Sequence, residues 1–251
     1  MPQVFGKVGK NQPTPVSDTA QVQQRVTGYG DVVTTQLGDN HSSLADEGCY
    51  FKVLSLVNTP VAHAIANTLT YNVNTPLFMI RNLGTAGGKR IFIDYIRLLS
   101  STSSTTGGTG ISCAAFIDTT SRVPTGGSNF TPVNVNADST NASVCSTNGF
   151  TFGAITNSGT PNAPRMIVRH NYKVSVTANT ILAGDSFTMD FGEHQSTATT
   201  LNAGNVPTVY PASVGPCAVG GGHTFLFYLW YSATTATTIP TYEFEIGWWE
   251  R

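Results

Sequence analysis

Apolar and polar residues alternate with a period of two over the last ten residues, 242–251, and this pattern predicts a β-strand. One face of the strand is apolar and the other is largely charged. The apolar face carries Phe244, Ile246 and Trp248, and the other face carries Glu243, Glu245 and Trp249. Exposed Trp residues would form a sticky patch, so we expect the strand to be held in a sheet. Two interpretations stay open: a strand of the protein's own core, or a strand edge shared with a partner.

Short apolar runs separated by clusters of turn residues continue along the chain from Cys49, and they predict about ten strands. The runs cover residues 49–57, 76–82, 90–99, 111–117, 130–135, 166–176, 186–191, 207–210, 223–232 and 241–249. Residues 62–70 fit either a short helix or a loop, and no sustained helical period occurs. The pattern predicts an all-β protein, with residues 48–251 forming one jelly-roll-like β-sandwich domain.

The runs 76–82 and 90–99 flank a glycine-rich segment and are predicted to form a β-hairpin. Both faces of the second run are largely apolar, which predicts a strand covered on each side. One face has Ile91, Ile93, Tyr95 and Arg97, and the other has Phe92, Asp94, Ile96 and Leu98. Asp94 and Arg97 are three positions apart, so they lie on opposite faces and each needs its own partner.

Three further segments have distinctive patterns. Pro132 within residues 130–135 predicts an edge strand, because proline cannot donate to the sheet. Residues 136–164 are rich in Asn, Ser, Thr, Gly and Pro and are predicted to be a long loop, with Phe150 and Phe152 as its anchors. Apolar residues fill both faces of 223–231, which is typical of a core or subunit-interface strand.

Residues 1–47 have scattered prolines and glycines and little periodicity, so they are predicted to form an extended N-terminal arm. A long arm without its own core is ordered only where it lies along something else. It is therefore either a disordered tail or an arm ordered by neighbouring subunits. The residues predicted to contact a partner are Val4, Phe5, Val22, Val26, Val32 and Val33 of the arm, together with Trp248 and Trp249.

Only 11% of the residues are Asp, Glu, Lys or Arg, and the formal net charge is -1. Such a chain lacks the basic surface that binds nucleic acid, so nucleic acid is not expected as a direct partner. Low charge also removes the repulsion that keeps soluble proteins apart. A polar but nearly uncharged surface therefore favours a protein whose working state is a dense assembly.

No segment approaches the roughly 20 apolar residues of a membrane span, and the N-terminus lacks the apolar stretch of a signal peptide. We therefore expect no membrane partner and a protein made and used in the cytoplasm. The cysteines are far apart and include no CxxC pair, so free thiols are predicted rather than a zinc site or a disulfide framework. They are Cys49, Cys113, Cys145 and Cys217.

Candidate catalytic and metal-binding residues are sparse. No GxSxG or HExxH motif occurs. The densest group of titratable residues lies in 185–194, but a strand and its following turn need not bring these side chains together, so a structural role is predicted. It comprises Asp185, Asp190, Glu193 and His194. Glu243 and Glu245 share a strand face and are expected to be solvated strand charges, since glycosidase carboxylates face each other across a cleft. No catalytic residue, metal or cofactor is predicted.

Carbohydrate binding is a further possibility, because jelly rolls present aromatic platforms. The candidate platform residues are Tyr228, Trp230, Tyr231, Trp248 and Trp249. The apolar residues on both faces of 223–231 favour a core or interface strand over a platform open to solvent.

Several phrases together resemble structural proteins of tailed bacteriophages, and in particular their head decoration, or cement, proteins. The phrases are NLG at 82–84, KRIFIDYIRL at 89–98, GGS at 126–128, TPVNVN at 131–136, GDSFTMDFG at 184–192 and FEIGWWER at 244–251. The resemblance implies a β-sandwich, often a jelly roll, that docks on the outside of a capsid and bridges neighbouring capsomers. No functional residue carries over, because such families bind through whole surfaces.

The expected function is thus that of a non-enzymatic virion structural protein, located on the capsid exterior after assembly in the host cytoplasm. Its expected partners are the major capsid protein and further copies of itself, with a trimer favoured over a dimer. Two alternatives stay open: a tail-associated receptor- or carbohydrate-binding β-sandwich, and a hydrolase. A hydrolase would need carboxylates that converge in a cleft.

Overall fold

The computed structural model describes residues 44–55, 61–62, 71–103, 110–146, 148–159, 162, 164–173, 181–192, 209–231 and 241–251. These ranges contain fourteen strands and a single helical turn at residues 44–46. The strands are β1 (Tyr50–Leu54), β2 (Val61–Ala62), β3 (Phe78–Arg81), β4 (Ile91–Ser100), β5 (Gly110–Asp118), β6 (Thr125–Phe130), β7 (Val133–Asn134), β8 (Phe150–Asn157), β9 (Arg165–Lys173), β10 (Ser186–Phe191), β11 (Val209–Val214), β12 (Cys217–Val219), β13 (Thr224–Tyr231) and β14 (Thr241–Glu250).

The strands form two sheets packed face to face, which confirms the predicted all-β sandwich. The larger sheet has eight strands in the order β11-β10-β4-β14-β1-β7, with β12 also paired to β4 and β2 also paired to β14. The smaller sheet has six strands in the order β6-β8-β3-β13-β5-β9. Neighbouring strands are antiparallel except for β10 and β11, which are parallel.

Aromatic rings from both sheets fill the space between them. Phe78 of β3 stacks on Phe152 of β8 and on Phe227 of β13, with ring centroids 6.0 Å and 4.9 Å apart. Phe244 of β14 contacts Phe152 from the opposite sheet at 4.0 Å. Side chains of this size bury large apolar areas, so the two sheets are held together mainly by the aromatic core.

The predicted face of β14 is confirmed. Phe244, Ile246 and Trp248 are all buried in the core, and β14 lies between β4 and β1. The strand is therefore part of the protein's own sheet along both of its edges. Glu243 and Glu245 point to the other side of the larger sheet, as the alternation predicts.

A β-bulge in β4 changes which of its residues face the core. Gly247 of β14 lies opposite Tyr95 and Trp248 lies opposite Ile93, so Asp94 is an extra residue with no opposite position on β14. The core residues of β4 are Ile91, Ile93, Ile96 and Leu98. The prediction of a strand covered on both faces is wrong, because strict alternation ignores the inserted residue and so mixes the two faces.

The predicted hairpin between residues 76–82 and 90–99 is also wrong. β3 lies in the smaller sheet between β8 and β13, whereas β4 lies in the larger sheet beside β14. The chain crosses from one sheet to the other between them. The Asn82 side chain fixes this crossing: its amide donates to the carbonyls of Lys89 (2.8 Å) and Val219 (3.0 Å), and its oxygen accepts from the Gly84 amide. A glycine-rich segment can therefore connect strands of two different sheets as well as the two strands of a hairpin.

The segment around Pro132 also joins the two sheets. β6 is an edge strand of the smaller sheet and β7 is an edge strand of the larger one, and Pro132 lies between them. The predicted edge position is confirmed. The segment predicted as a single strand is divided between the end of β6 and β7. Residues 150–157, predicted to be part of a long loop, form β8 between β6 and β3.

Strand β13 of the smaller sheet is covered on its outer side as well as on its core side. Every residue from Thr224 to Trp230 is buried, which confirms the prediction for this strand. Tyr71 packs on the rings of Tyr228 and Trp230 at centroid distances of 4.9 Å and 5.2 Å, and the Tyr228 hydroxyl donates to the Val73 carbonyl at 2.8 Å. The segment that precedes β3 therefore lies over this face.

The predicted arm falls largely outside the described residues, which begin at Leu44. The arm residues predicted to contact a partner, Val4, Phe5, Val22, Val26, Val32 and Val33, all lie outside the described residues. Leu44 itself is buried, and its carbonyl accepts a hydrogen bond from the Cys49 amide. Structure attached to the sandwich thus begins a few residues before the predicted boundary at residue 48.

Candidate functional site

The side of the larger sheet that points away from the core carries most of the candidate chemistry in the described part of the chain. We refer to the outward side chains of β1, β4 and β14 as the outer face. They are Tyr50, Lys52, Leu54, Phe92, Tyr95, Arg97, Leu99, Glu243, Glu245 and Trp249. The bulge at Asp94 places Tyr95, Arg97 and Leu99 on this face.

Glu245 is the centre of a charge network on the outer face. Its carboxylate accepts hydrogen bonds from Lys52 (2.9 Å), the Tyr95 hydroxyl (2.6 Å) and Arg97 (3.1 Å). Burial opposes the charge, but the donors outweigh it and hold the pKa of the Glu245 carboxyl below its ordinary value. Glu245 is therefore more than the solvated strand charge that the sequence predicts.

Two tyrosines lie over Gly247 at the bulge. The hydroxyl of Tyr50 donates to the Asp94 carboxylate, and that of Tyr95 donates to Glu245. A side chain at Gly247 would begin 2.5 Å from the Tyr95 ring and 2.6 Å from the Tyr50 hydroxyl, so glycine is what lets both rings lie there. Burial and these hydrogen bonds to carboxylates raise the pKa of both tyrosines, which keeps the hydroxyls protonated as donors.

The separate partners predicted for Asp94 and Arg97 are confirmed, since Asp94 accepts from Tyr50 and Arg97 donates to Glu245. The Tyr95 ring lies between two cations, with Lys52 at 5.6 Å and Arg97 at 5.7 Å from its centroid. These contacts fix the positions of long side chains that would otherwise be mobile in solvent. The side chains at the centre of the outer face are therefore held in fixed positions before any partner binds.

A groove of about 480 Å³ lies beside this network. It is lined by Leu54, Ser55, Arg97, Leu99, Glu243, Phe244 and Glu245. Leu54 and Leu99 are 45% and 38% exposed, which is high for leucines in the middle of a sheet. The Glu243 carboxylate has no hydrogen bond or ion pair within the described part of the chain. The groove therefore combines apolar walls with an unmatched negative charge.

The two C-terminal Trp residues lie on opposite sides of the larger sheet. Trp248 is 0% exposed and packs inside the core, so it offers no surface to a partner. Trp249 is only partly buried on the outer face, where it stacks on Phe92 with centroids 5.8 Å apart and rings inclined by 10°. Of the predicted contact residues that the structure describes, Trp249 is the one at the surface.

The structure does not gather the acidic residues of 185–194 into a site. Asp185 is buried and accepts a hydrogen bond from the Leu182 amide (2.9 Å), closing the turn before β10, which is the structural role that the sequence predicts. Asp190 lies on the outward side of β10, and Glu193 and His194 lie outside the described residues. In the ranges that the structure describes, no group of three or more His, Cys, Asp or Glu side chains could hold a metal ion.

The aromatic residues considered for a sugar platform are mostly internal. Tyr228, Trp230 and Trp248 are buried, and Trp249 alone among the described candidates reaches the surface. The side chain of Tyr231 lies outside the described residues. A platform made of several of these rings is therefore not formed by this part of the chain.

Sequence reasoning missed Glu250, a carboxylate that is only 1% exposed. It accepts hydrogen bonds from the Ser143 hydroxyl, the Val144 amide (3.0 Å) and the Trp248 indole N–H (3.0 Å). These contacts tie the end of β14 to the segment before β8. The sequence pattern could have predicted this burial, because continuing the alternation of β14 by one more step puts Glu250 on the core side.

A second buried charge was also missed. Asp118 at the end of β5 pairs with Arg122 at 2.7 Å, and both side chains are almost wholly buried on the outer side of the smaller sheet. The Asn162 amide and the Thr120 hydroxyl also donate to Asp118. Burial opposes ionisation, but these hydrogen bonds together with Arg122 hold the pKa of Asp118 below its ordinary value. The pair orders the turn after β5.

No model of a known protein family matches the chain, and no curated protein matches it with significant similarity. Within the described ranges no helix is both long and apolar enough to cross a membrane. What the protein does therefore has to follow from its fold and its surfaces.

Proposed function

We propose that this protein is a non-enzymatic virion structural protein, a capsid decoration or cement protein that docks on the outer shell and bridges neighbouring major capsid protein subunits. The observation that carries the proposal is the contrast between the two sheets. Residues 71–73 cover the outer side of β13 in the smaller sheet, whereas β1, β4 and β14 of the larger sheet present a preorganised outer face with exposed leucines. A sheet face of this kind supports a binding role, because contiguous exposed apolar residues favour contact with another protein.

The strand order supports the same class of protein. Eight strands follow the order β1-β14-β4-β10 in one sheet and β3-β13-β5-β9 in the other. We assign this order to a jelly roll, in which the chain passes repeatedly between two sheets and the last two strands each insert between two earlier ones. Jelly rolls are common in viral capsid domains and in lectins, so the fold agrees with the proposal but does not select it alone.

The low charge supports a role in a dense assembly. With 11% charged residues and a net charge of -1, copies can lie side by side without strong mutual repulsion. The proposed working form is a homo-oligomer, with a trimer favoured over a dimer, located on the capsid exterior after assembly in the host cytoplasm. Many weak contacts repeated over a shell sum to stable attachment.

The direct test mixes the purified protein with expanded capsids that lack it and images the particles by cryo-electron microscopy. Regular density at capsomer junctions is the expected result. Deletion of residues 1–40 is expected to leave the sandwich folded and to abolish docking. Bare shells with the full chain would reject the proposal, and normal occupancy with the truncated chain would reject the role of the arm.

Surface variants test whether docking on the capsid needs the outer face. Leu54→Asp with Leu99→Asp places charges on the outer face, and we expect capsid occupancy to fall strongly. Val123→Asp is the matched control, because Val123 is 74% exposed and lies outside the outer face. Equal occupancy for both proteins would show that docking does not need the outer face.

The second candidate function is a tail-associated receptor- or carbohydrate-binding domain. The stacked pair of Phe92 and Trp249 favours it, because a partly exposed aromatic ring is a surface that sugars can stack on. A glycan array with the wild type and Trp249→Ala tests it. Glycan binding that is lost in Trp249→Ala, together with bare capsids, would favour this function over capsid decoration.

A further inference from the structure

The groove on the outer face has apolar walls and contains a carboxylate without an ion-pair partner among the described residues. Leu99 lies directly opposite Glu243 in the pairing of β4 with β14, and Leu54 lies opposite Glu245 in the pairing of β1 with β14. Glu245 has three donors, but Glu243 has no hydrogen bond or ion pair among the described residues. A ligand that fits would bring apolar side chains for the walls and a cation for Glu243.

We propose that the groove binds residues 4–10 of the N-terminal arm of a second copy of this chain. This segment, VFGKVGK, places Val4, Phe5 and Val8 beside Lys7 and Lys10. Residues 1–16 contain no acidic residue, so the segment is basic where the groove is acidic. The inference rests on the proposed function, in which copies of the protein assemble side by side.

The arm is long enough to reach the groove of a neighbouring copy. The described residues begin at Leu44, beside the Tyr50 end of β1, and the groove lies near the Leu54 end of the same strand. The chain between residues 10 and 44 can span up to roughly 110 Å when extended. A domain of this size is roughly 40–45 Å across. The reach is more than twice the width of one domain, so residues 4–10 can enter the groove of an adjacent copy.

Disulfide trapping tests the contact in the purified full-length protein. Phe5→Cys with Leu99→Cys, in a Cys49→Ser background, puts one thiol on the segment and one at the groove. The matched control replaces Leu99→Cys by Val123→Cys, which is exposed away from the groove. After mild oxidation we expect covalent dimers and larger covalent oligomers at about tenfold higher yield than in the control, because docking raises the local thiol concentration.

A charge exchange tests the role of Glu243. Glu243→Lys in the trapping protein is expected to lower the cross-linked yield by about threefold, as for a moderately exposed ion pair. Adding Lys7→Glu is expected to restore it. Thermal unfolding followed by circular dichroism checks that each variant is folded, since a misfolded variant would lose the cross-link for another reason.

Two results would overturn the inference. A disulfide formed within one chain, seen as a cross-linked monomer, would reject the second copy as the source of the segment. Yields equal to those of the Val123→Cys control would reject the groove. The cryo-electron microscopy test is separate: bare capsids with efficient trapping would reject the proposed function alone, and decorated capsids without trapping would reject the inference alone.

Discussion

Glu250 is a carboxylate inside an otherwise apolar row of β14, and its three hydrogen-bond donors make that position tolerable. A buried hydrogen bond adds little net stability over its counterpart in water, but a buried donor without a partner is costly. The importance of Glu250 therefore lies in the groups that it satisfies: the Ser143 hydroxyl, the Val144 amide and the Trp248 indole. It also gives Trp248 a fixed orientation in the core.

Glu250→Ala is expected to destabilise the protein by about 3 kcal/mol, because three buried donors lose their acceptor. Denaturation with urea followed by tryptophan fluorescence measures the free energy of unfolding. Glu243→Ala is the control, since this carboxylate has no hydrogen bond in the described part of the chain, and its effect is expected to stay within about 0.5 kcal/mol. Equal effects of the two substitutions would contradict the role given to Glu250.

Glu245 is expected to make stability depend on pH in the acid range. Its folded-state pKa lies below the unfolded value, so its contribution is present above the unfolded pKa and is lost as pH falls through the folded one. The loss begins below about pH 5. The free energy of unfolding of Glu245→Gln is expected to fall less steeply there than that of the wild type.

Asp118 also has a lowered pKa and adds its own loss in the same range, but it does so in both proteins. The difference between the two pH profiles therefore isolates Glu245. Superimposable slopes below pH 5 would mean that Lys52, Tyr95 and Arg97 do not stabilise the charged form.

At the scale of the elements, the bulge in β4 divides the strand between two partners. On the side away from β14, residues 95–99 pair with β10 and residues 91–93 pair with β12, and Asp94 lies between the two segments. The extra residue thus marks the position where the second neighbour of β4 changes. It also lets one strand keep a single core face over its whole length.

Leu98 and Leu99 test this assignment of faces with two adjacent residues of one type. Leu98 is 1% exposed on the core side, and Leu98→Ala is expected to cost about 2–5 kcal/mol. Leu99 is 38% exposed on the outer face, and Leu99→Ala is expected to cost less than about 1 kcal/mol. Chemical denaturation of both variants measures the difference, and a reversed order would place the bulge elsewhere.

How far the sequence predicts the elements depends on whether the determinant is local. The alternation of β14 and the doubly apolar pattern of β13 are local, and both are confirmed. The bulge is not visible, because one inserted residue in β4 leaves a pattern that reads as apolar on both faces. The crossing at Asn82 is not visible either, because its hydrogen bond to Val219 joins residues that are distant in the chain.

The candidate site was predictable only in part, for a related reason. Trp249 and the charged side of β14 follow from the alternation of apolar and polar residues, so the contribution of this strand to the outer face was predictable. Lys52, Tyr95 and Arg97 join Glu245 only through the pairing of three strands, and strand order is not a local property. The groove depends on the same pairing. The alternation of apolar and polar residues predicts which face of a strand is buried, but it does not predict which strands pair with each other.

At the scale of the whole molecule, the sandwich encloses most of its thiols. Cys113, Cys145 and Cys217 are buried, and burial raises the pKa of Cys113 and of Cys217 to about 12. Cys49 is partly exposed, and burial also raises the pKa of its thiol. The reactive form of a cysteine is the thiolate, so burial protects the three buried thiols both by limiting access of reagents and by disfavouring ionisation.

A thiol-specific reagent is therefore expected to modify Cys49 in the native protein and the other three only when the molecule opens. The release of chromophore with time, measured with and without denaturant, and peptide mapping by mass spectrometry check this. The Cys49→Ser variant is the control and is expected to be nearly unreactive when folded. Rapid reaction of all the thiols in the native state would mean that the sandwich opens easily.

The position of β14 between β4 and β1 affects how the chain is made. A ribosome delivers β1 and β4 early, but the strand that separates them arrives only after the stretch from Ser101 to Pro240 has been translated. At ordinary rates of synthesis this interval is on the order of ten seconds. During that time the edges of β1 and β4 that β14 later covers are unpaired and can bind other polypeptides. Recombinant production should accordingly gain from extra chaperones, which protect such intermediates.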